Sequence, residues 1–414
     1  MNHFKIIDDQ KADLNILFAG DLCPMGQIER ACIDDTQNKI CNNFREYFEN
    51  KDLFIANLEG PLTKSDNKAK KSGPNLKADP ISFKMIRECG IDILNLANNH
   101  IMDYGRTGLN DSINLIKKNN LLFLGAGDTI EQASMPLRVI ENGVRITFLA
   151  FCENVLNIAS NDQPGCAPIN QEEIIRSLQN EQQHADLIII SLHAGPEYFP
   201  LPTPRIKSLC RNLTNYGVSA IICHHSHVIA SYEVYNSVPI FYGLGNFLFD
   251  TSKSKSSGLN YKGVMVKIGF NKKKALNYEL KPFVFDKAKT SLVNLNETES
   301  SDFIARMGQL CEVTENAHLS NMIWLLYSSE KYKYYYAPNL RRYRSSIFLS
   351  KETKNKTLLA FRKHESTAEV IEEALYQLVY GIPEIEPEAR SLYENLISDV
   401  TFLTKIKRIV KFFV

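Results

Sequence analysis

Short apolar runs, each stopping at a cluster of acidic, amide or imidazole side chains, recur along the first 250 residues. Ile16-Leu17-Phe18-Ala19 stops at Gly20-Asp21, and Leu53-Phe54-Ile55-Ala56 at Asn57-Leu58-Glu59-Gly60. Ile91–Leu96 stops at Ala97-Asn98-Asn99-His100. Arg145–Phe151 and Asp186–Leu192 continue the series, the latter stopping at His193. Val218–Cys223 stops at His224-His225-Ser226-His227, and Pro239–Tyr242 at Gly243-Leu244-Gly245-Asn246. These runs read as buried strands. Helical patterns lie between them. Asp79-Pro80 predicts a helix start, with Asp as cap and Pro in the first turn, and Cys89-Gly90 stops that helix. Leu109, Ile113 and Ile116 share one face of the next, and Arg205–Tyr216 reads as another. Alternating βαβ patterns imply an α/β architecture. Polar clusters at strand ends fit the rule that sites gather beyond the carboxyl ends of strands.

The chain has 414 residues, which at roughly 150 per domain predicts two or three units and a full core without staples. Its 48 basic and 47 acidic residues leave a charge of +1, with 44% hydrophobic residues. That balance excludes a disordered polyelectrolyte and nucleic-acid binding driven by overall charge. Nine scattered cysteines, with no CxxC, read as reduced thiols of a cytosolic protein. Asp8, Asp9, Lys11 and Asp13 break the apolar residues near the start, so no signal-peptide core is expected, and no run approaches the roughly 18 apolar residues of a spanning helix. A cytoplasmic location is the expectation. Thr290–Asp302, rich in Ser, Asn, Thr and Glu, reads as a linker between residues 1–290 and a mainly helical extension over 300–414.

Taken singly, each polar cluster has a plain structural explanation. Asp21 suits a turn, Glu59 a cap, Asn98 and Asn99 turns, and His193 a satisfied core position. Together they say more. Five of the nine histidines, at 100, 193, 224, 225 and 227, follow strand patterns, as do Asp21, Glu59 and Asn99. If the strands share a sheet, these groups converge on one rim. Imidazole, carboxylate and amide oxygen together suit Zn, Mn or Fe. The set has enough donors for two ions, which in dinuclear sites stand about 3.5–4 Å apart. Alternate residues of an extended segment share a face, so His225 and His227 can point the same way; a solvated loop is the other reading of those four residues.

The chain resembles the CapA family of capsule-synthesis proteins, within the calcineurin-like metallophosphoesterase superfamily. The matching stretches are FAGDLCPMG at 18–26, FIANLEGPLT at 54–63, LNLANNHIMDYGRTGL at 94–109, GAGDTIEQASMP at 125–136, SLHAGPEYFP at 191–200, IICHHSHVI at 221–229 and FYGLGNFLFD at 241–250. The resemblance implies an α/β fold: a metallophosphoesterase-like β-sandwich flanked by helices. It implies a metal-dependent hydrolase of a phosphate ester in capsule or surface-polymer synthesis, with two divalent ions and a phosphorylated or polyanionic substrate. By the same resemblance Asp21, Glu59, Asn99, His193, His225 and His227 are metal ligands, with Glu59 bridging. His100 acts on substrate and leaving group, and Glu197 and Asn246 line the substrate pocket. Asp103 and Asp250 are possible orienting acceptors for the site histidines. The superfamily's Asp-x-His opening is Asp21-Leu22-Cys23 here, so Cys23 is either a thiolate ligand or an inert buried thiol. A Trp common after the family's histidine is Ala194, a usual glycine is Cys223 and a usual proline is Ser226.

Two other functional classes stay open at this level. One is a non-catalytic accessory protein that binds an anionic polymer or a synthase. The other is a metal-dependent enzyme acting on a γ-glutamyl amide. The aromatic cluster Tyr332–Tyr336 with Arg341, Arg342 and Arg344 reads as an amphipathic helix with snorkelling side chains rather than a nucleic-acid surface. The tail TFLTKIKRIVKFFV at 401–414 sets an apolar helical face beside Lys405, Lys407, Arg408 and Lys411. Such a helix either lies on an anionic membrane surface or docks on its own domain. If it lies on the membrane, deleting 401–414 abolishes co-sedimentation with anionic liposomes; unchanged sedimentation excludes that role.

Overall fold

The computed structural model describes residues 3–7, 10–71, 73–153, 157–250, 262–286, 288–338, 365–381 and 385–397. The strands in chain order are β1 (His3–Ile6), β2 (Leu14–Cys23), β3 (Leu53–Leu58), β4 (Ile93–Asn95), β5 (Leu122–Leu124), β6 (Ala126–Gly127), β7 (Leu137–Glu141), β8 (Val144–Cys152) and β9 (Gly165–Cys166). They continue with β10 (Leu187–His193), β11 (Ala220–His224), β12 (Tyr232–Tyr235), β13 (Val238–Phe241), β14 (Asn246–Phe249), β15 (Lys262–Phe270), β16 (Ala275–Asp286) and β17 (Ser291–Asn294). One sheet has the order β1-β16-β15-β2-β3-β4-β5, with β14 also on β2 and β17 on β16. The second has the order β12-β13-β11-β10-β8-β7. The neighbours β2-β3-β4-β5 are parallel, as are β8-β10-β11-β13, so both sheets present strand carboxyl ends as a group.

The apolar runs are continuous because both strand faces are buried, as the sequence predicts. On β10, Leu187 and Ile189 join the core between the sheets, while Ile188, Ile190 and Leu192 face outward. The first five helices are α1 (Gln27–Ile33), α2 (Arg45–Glu49), α3 (Phe83–Glu88), α4 (Gly105–Lys118) and α5 (Ile130–Ala133). The outward set packs on Ile174 and Leu178 of α6 (Gln171–Glu181) and on Ile206, Leu209 and Leu213 of α7 (Pro204–Leu213). On β11, Ala220 and Ile222 face inward and Ile221 and Cys223 outward. By this period of two, His193 and His224 end their strands on the inter-sheet face.

The edge of β2 is shared. β15 pairs with residues 14–18 and β14 with Asp21 and Cys23. At the crossing, a Cβ on Gly20 would lie 1.8 Å from the Gly245 carbonyl oxygen. Only glycine lets the two backbones meet, and that contact sets Asn246 directly opposite Asp21.

Helices dominate the C-terminal part: α8 (Glu297–Glu315), α9 (Ala317–Lys331), α10 (Glu365–Tyr380) and α11 (Pro387–Ile397). The stretch Thr290–Asp302 is not a linker. It holds β17, paired antiparallel with β16, and then the start of α8. Its polar residues have a local purpose: Asn296 and Glu299 form a capping box, in which each side chain satisfies the other's backbone N–H. These helices share the buried core of the sheets through Met307, Leu310, Ile323, Trp324, Val370 and Leu396. Tyr332–Tyr336 extends α9 as a π-helical turn with Tyr336 buried; Arg341, Arg342, Arg344 and the tail 401–414 lie outside the described residues. Among the described residues no helix is long and apolar enough to cross a membrane. None of the nine cysteines is in a disulfide, and all but Cys311 are buried.

Gly20→Ala forces Cβ into the Gly245 carbonyl and is expected to cost at least ~2 kcal/mol. A urea titration checks this; a variant as stable as the parent would show that the β2–β14 crossing is not tight.

Candidate metal centre

Every residue proposed for the site lies at or just past a strand end. Asp21 lies near the carboxyl end of β2, Glu59 immediately follows β3, and Asn99 and His100 follow β4. His193 ends β10, His225 and His227 follow β11, and Asn246 opens β14. Glu59, His225 and His227 place one donor atom each within 4.8 Å of one another, all buried. His193 Nε2 and His227 Nε2 each lie 3.6 Å from Glu59 Oε1, and His100 Nε2 lies 4.0 Å away. Asn99 Oδ1 is 2.9 Å from His193 Nε2. Asp21 lies behind His227, with Oδ2 3.2 Å from its Nδ1. Asn246 Oδ1 is 2.9 Å from the same nitrogen.

His225 and His227 do not converge by strand alternation. The strand ends at His224, and both residues take left-handed backbone angles, with φ of 88° and 55°. Such angles cost non-glycine residues of order 1–3 kcal/mol each and concentrate at functional sites. The turn is held by Tyr198 N–H donating to the Ser226 carbonyl at 2.7 Å, and by His225 N–H donating to Asp21 Oδ2 at 3.4 Å.

Both oxygens of Glu59 are buried with no hydrogen-bond donor on them. Burial pushes this carboxyl well up from its usual range, opposed by the charge of His227. A buried carboxylate without donors is costly unless a cation compensates it. Burial pulls His227 down, but Glu59 and Asp21 outweigh it and hold the imidazole up, to about 10. Burial drives His193 well below its usual value, with His225 adding to the effect. Burial raises Asp21, yet hydrogen bonds from His224 and His227 prevail and keep it well below the usual carboxylate range. The donor set of imidazoles around a bare carboxylate fits Zn, Mn or Fe.

Around this centre sit further residues, and of these the sequence pattern gave no role to Asn57. Asn57 Nδ2 donates to Asp21 Oδ1 at 2.8 Å and lies 3.3 Å from His193 Nδ1, while its Oδ1 accepts from Asn95 at 3.1 Å. Its signal was position: it stands two residues before Glu59, on the same strand end. His224 Nδ1 lies 3.5 Å from Asp21 Oδ1. Asp103 Oδ2 is 2.6 Å from His100 Nδ1 and orients that ring. Asp250 Oδ2 accepts from Gln27 N–H at 2.9 Å, at the start of the helix Gln27–Ile33. Cys23 packs with Leu76, Phe249 and Met25, and burial pushes its thiol well up. Glu197 is exposed to solvent. Crowding by its surroundings raises its carboxyl, but the charges of His225 and His227 outweigh that and lower it.

A family model described as "Bacterial capsule synthesis protein PGA_cap" matches residues 15–251. "Capsule biosynthesis protein CapA" of Bacillus anthracis is 34% identical over 224 residues, covering 51% of this chain and 54% of that protein. "PGA biosynthesis protein CapA" of Bacillus subtilis is 32% identical over 241 residues, covering 57% and 63%. The chain therefore spans little more than half the length of these relatives. Among solved structures, calcineurin-like phosphoesterase YfkN from Bacillus subtilis aligns with a TM-score of 0.41 at 13% identity, over 76% of this chain and all of that one.

His225→Ala is expected to lower affinity for Zn or Mn by about tenfold or more. Equilibrium dialysis with elemental analysis reads this directly, and undiminished binding would remove His225 from the ligand set.

Proposed function

The chain belongs to the PGA_cap family of bacterial capsule synthesis proteins, and from that premise we propose that it is a metal-dependent hydrolase of a phosphate ester serving capsule or surface-polymer synthesis. The observation that carries this reading is the Glu59 carboxylate, buried without a hydrogen-bond donor and faced by the Nε2 atoms of His193 and His227. In this proposal Glu59, His193, His225, His227 and Asn99 hold divalent metal, with Glu59 central, and Asp21, expected from the sequence as a ligand, instead supports His227 from behind. Two ions around Glu59 are the proposed occupancy. A divalent ion supplies Lewis acidity toward a phosphoryl oxygen and a more acidic water.

The chain's own groups do the rest. Asp103 takes the Nδ1 proton side of His100, leaving Nε2 facing Glu59. Burial lowers the His100 imidazole, with Asp103 opposing, so the ring is neutral near pH 7 and Nε2 can hold a proton in transit. Asn246 and Asp21 fix the His227 ring through Nδ1, as acceptors beside metal-ligating histidines do. Glu197, exposed beside His225 and His227, and Asn246 are the proposed substrate-side residues.

A non-catalytic accessory role is the second reading. It is favoured by Cys23, a buried thiol packed among Leu76, Phe249 and Met25 where the superfamily has a histidine ligand.

Metal-loaded protein is expected to hydrolyse p-nitrophenyl phosphate and to lose the activity on chelation. His100→Ala should keep its metal while turnover falls by ~100-fold. Metal binding with no turnover of phosphomonoesters or phosphodiesters would leave the accessory role in place of the enzyme.

A further inference from the structure

Residues 62–78 form a loop whose neck is closed by pairing of Leu62 with Ala78, by Thr63 N–H on the Ala78 carbonyl at 3.0 Å and by Ala78 N–H on the Pro61 carbonyl at 3.1 Å. The loop carries Lys64, Lys68, Lys70, Lys71 and Lys77. Lys64, Lys68 and Lys70 are exposed. Lys71 turns inward: its side chain is 15% exposed, it forms an ion pair with Asp103 Oδ1, and its Nζ lies 3.2 Å from His100 Nδ1. The same carboxylate takes a second donor from the loop, Leu76 N–H on Oδ2 at 2.6 Å. A third contact runs from Ala69 N–H to the Asp103 carbonyl at 2.8 Å. Leu76 then packs against Cys23 and Phe249, and the Phe249 ring stands 5.2 Å from that of His227. One loop thus reaches the centre on two sides.

From this geometry we infer that Lys71 is a positioning residue of the site, acting on His100 through Asp103. The inference rests on the hydrolase reading above for its effect on turnover. Asp103 Oδ2 serves both Leu76 N–H and His100 Nδ1, while Oδ1 is held by Lys71. Among the described residues no other donor reaches Oδ1. The ammonium therefore fixes the rotation of the carboxylate. A fixed carboxylate at Nδ1 selects the Nδ1–H tautomer and turns Nε2 toward Glu59. Without Lys71 the carboxylate is held through Oδ2 alone, by Leu76 N–H and the His100 ring, and its hold on the ring loosens. Sequence offered no sign of this: Lys71 is one lysine among five on a polar loop.

The test compares Lys71→Met, Lys71→Gln and Lys71→Arg with Lys70→Met, an exposed control on the same loop. Long-range proton–nitrogen NMR spectra are expected to show His100 as a single Nδ1–H tautomer in the parent, Lys70→Met and Lys71→Arg, and as a mixture in Lys71→Met and Lys71→Gln. With p-nitrophenyl phosphate, Lys71→Met should lose about tenfold in kcat with KM within about twofold and metal content unchanged, and Lys71→Arg should recover most of the loss. A parent-like tautomer in both neutral variants overturns the inference. A parent protein without turnover defeats the hydrolase reading instead, and the tautomer comparison, which needs no substrate, still decides the role of Lys71. If Lys71→Met fails to fold, Lys71→Gln against Lys71→Arg makes the same comparison.

Discussion

A carboxylate with no hydrogen-bond donor, buried where two sheets end, is the constraint around which this protein is arranged. Glu59 can sit there only because imidazoles approach it from both sheets. That requires parallel strands whose carboxyl ends open on one rim, and a sandwich that brings the two rims together. β2, β3 and β4 contribute Asp21, Glu59, Asn99 and His100, while β10 and β11 contribute the histidines. Left-handed turns at His225 and His227 complete the ring of donors. Their backbone cost is tolerated because Asp21 and Tyr198 pin the turn by hydrogen bonds.

The helical region supports this rim from behind. Phe199, in the loop after β10, stacks against Tyr327 and Trp324 of α9, with ring centroids 4.3 and 5.7 Å away. Arg205, at the start of α7, pairs with buried Glu153 and reaches Glu365 and Glu369 of α10. Glu153 also receives Gly195 N–H and the Ser366 hydroxyl. A buried charge is tolerated only with such partners. The helices therefore bear on the segment that carries His193 and Glu197.

Much of this architecture was legible in the chain. The run DLIIISL at 186–192 has no polar interruption because one face meets the opposite sheet and the other meets α6 and α7. The polar stretch at 290–302 was misread, since an edge strand followed by a capped helix start has the same composition as a linker. HHSH announced a clustering of imidazoles, but extended alternation was the wrong geometry for it. Left-handed angles at histidine leave no mark on composition.

The sequence by itself determined which residues end the strands, because apolar periodicity and its interruptions are local properties of the chain. It therefore named Asp21, Glu59, Asn99, His100, His193, His224, His225 and His227 as one set. Tertiary structure alone decided their partners. Asn57 between Asp21 and His193, Lys71 on Asp103 and the apolar setting of Cys23 all depend on distances between segments tens of residues apart. Such distances are set by packing and close backbone contacts, as at Gly20 and Gly245, and no local pattern encodes them.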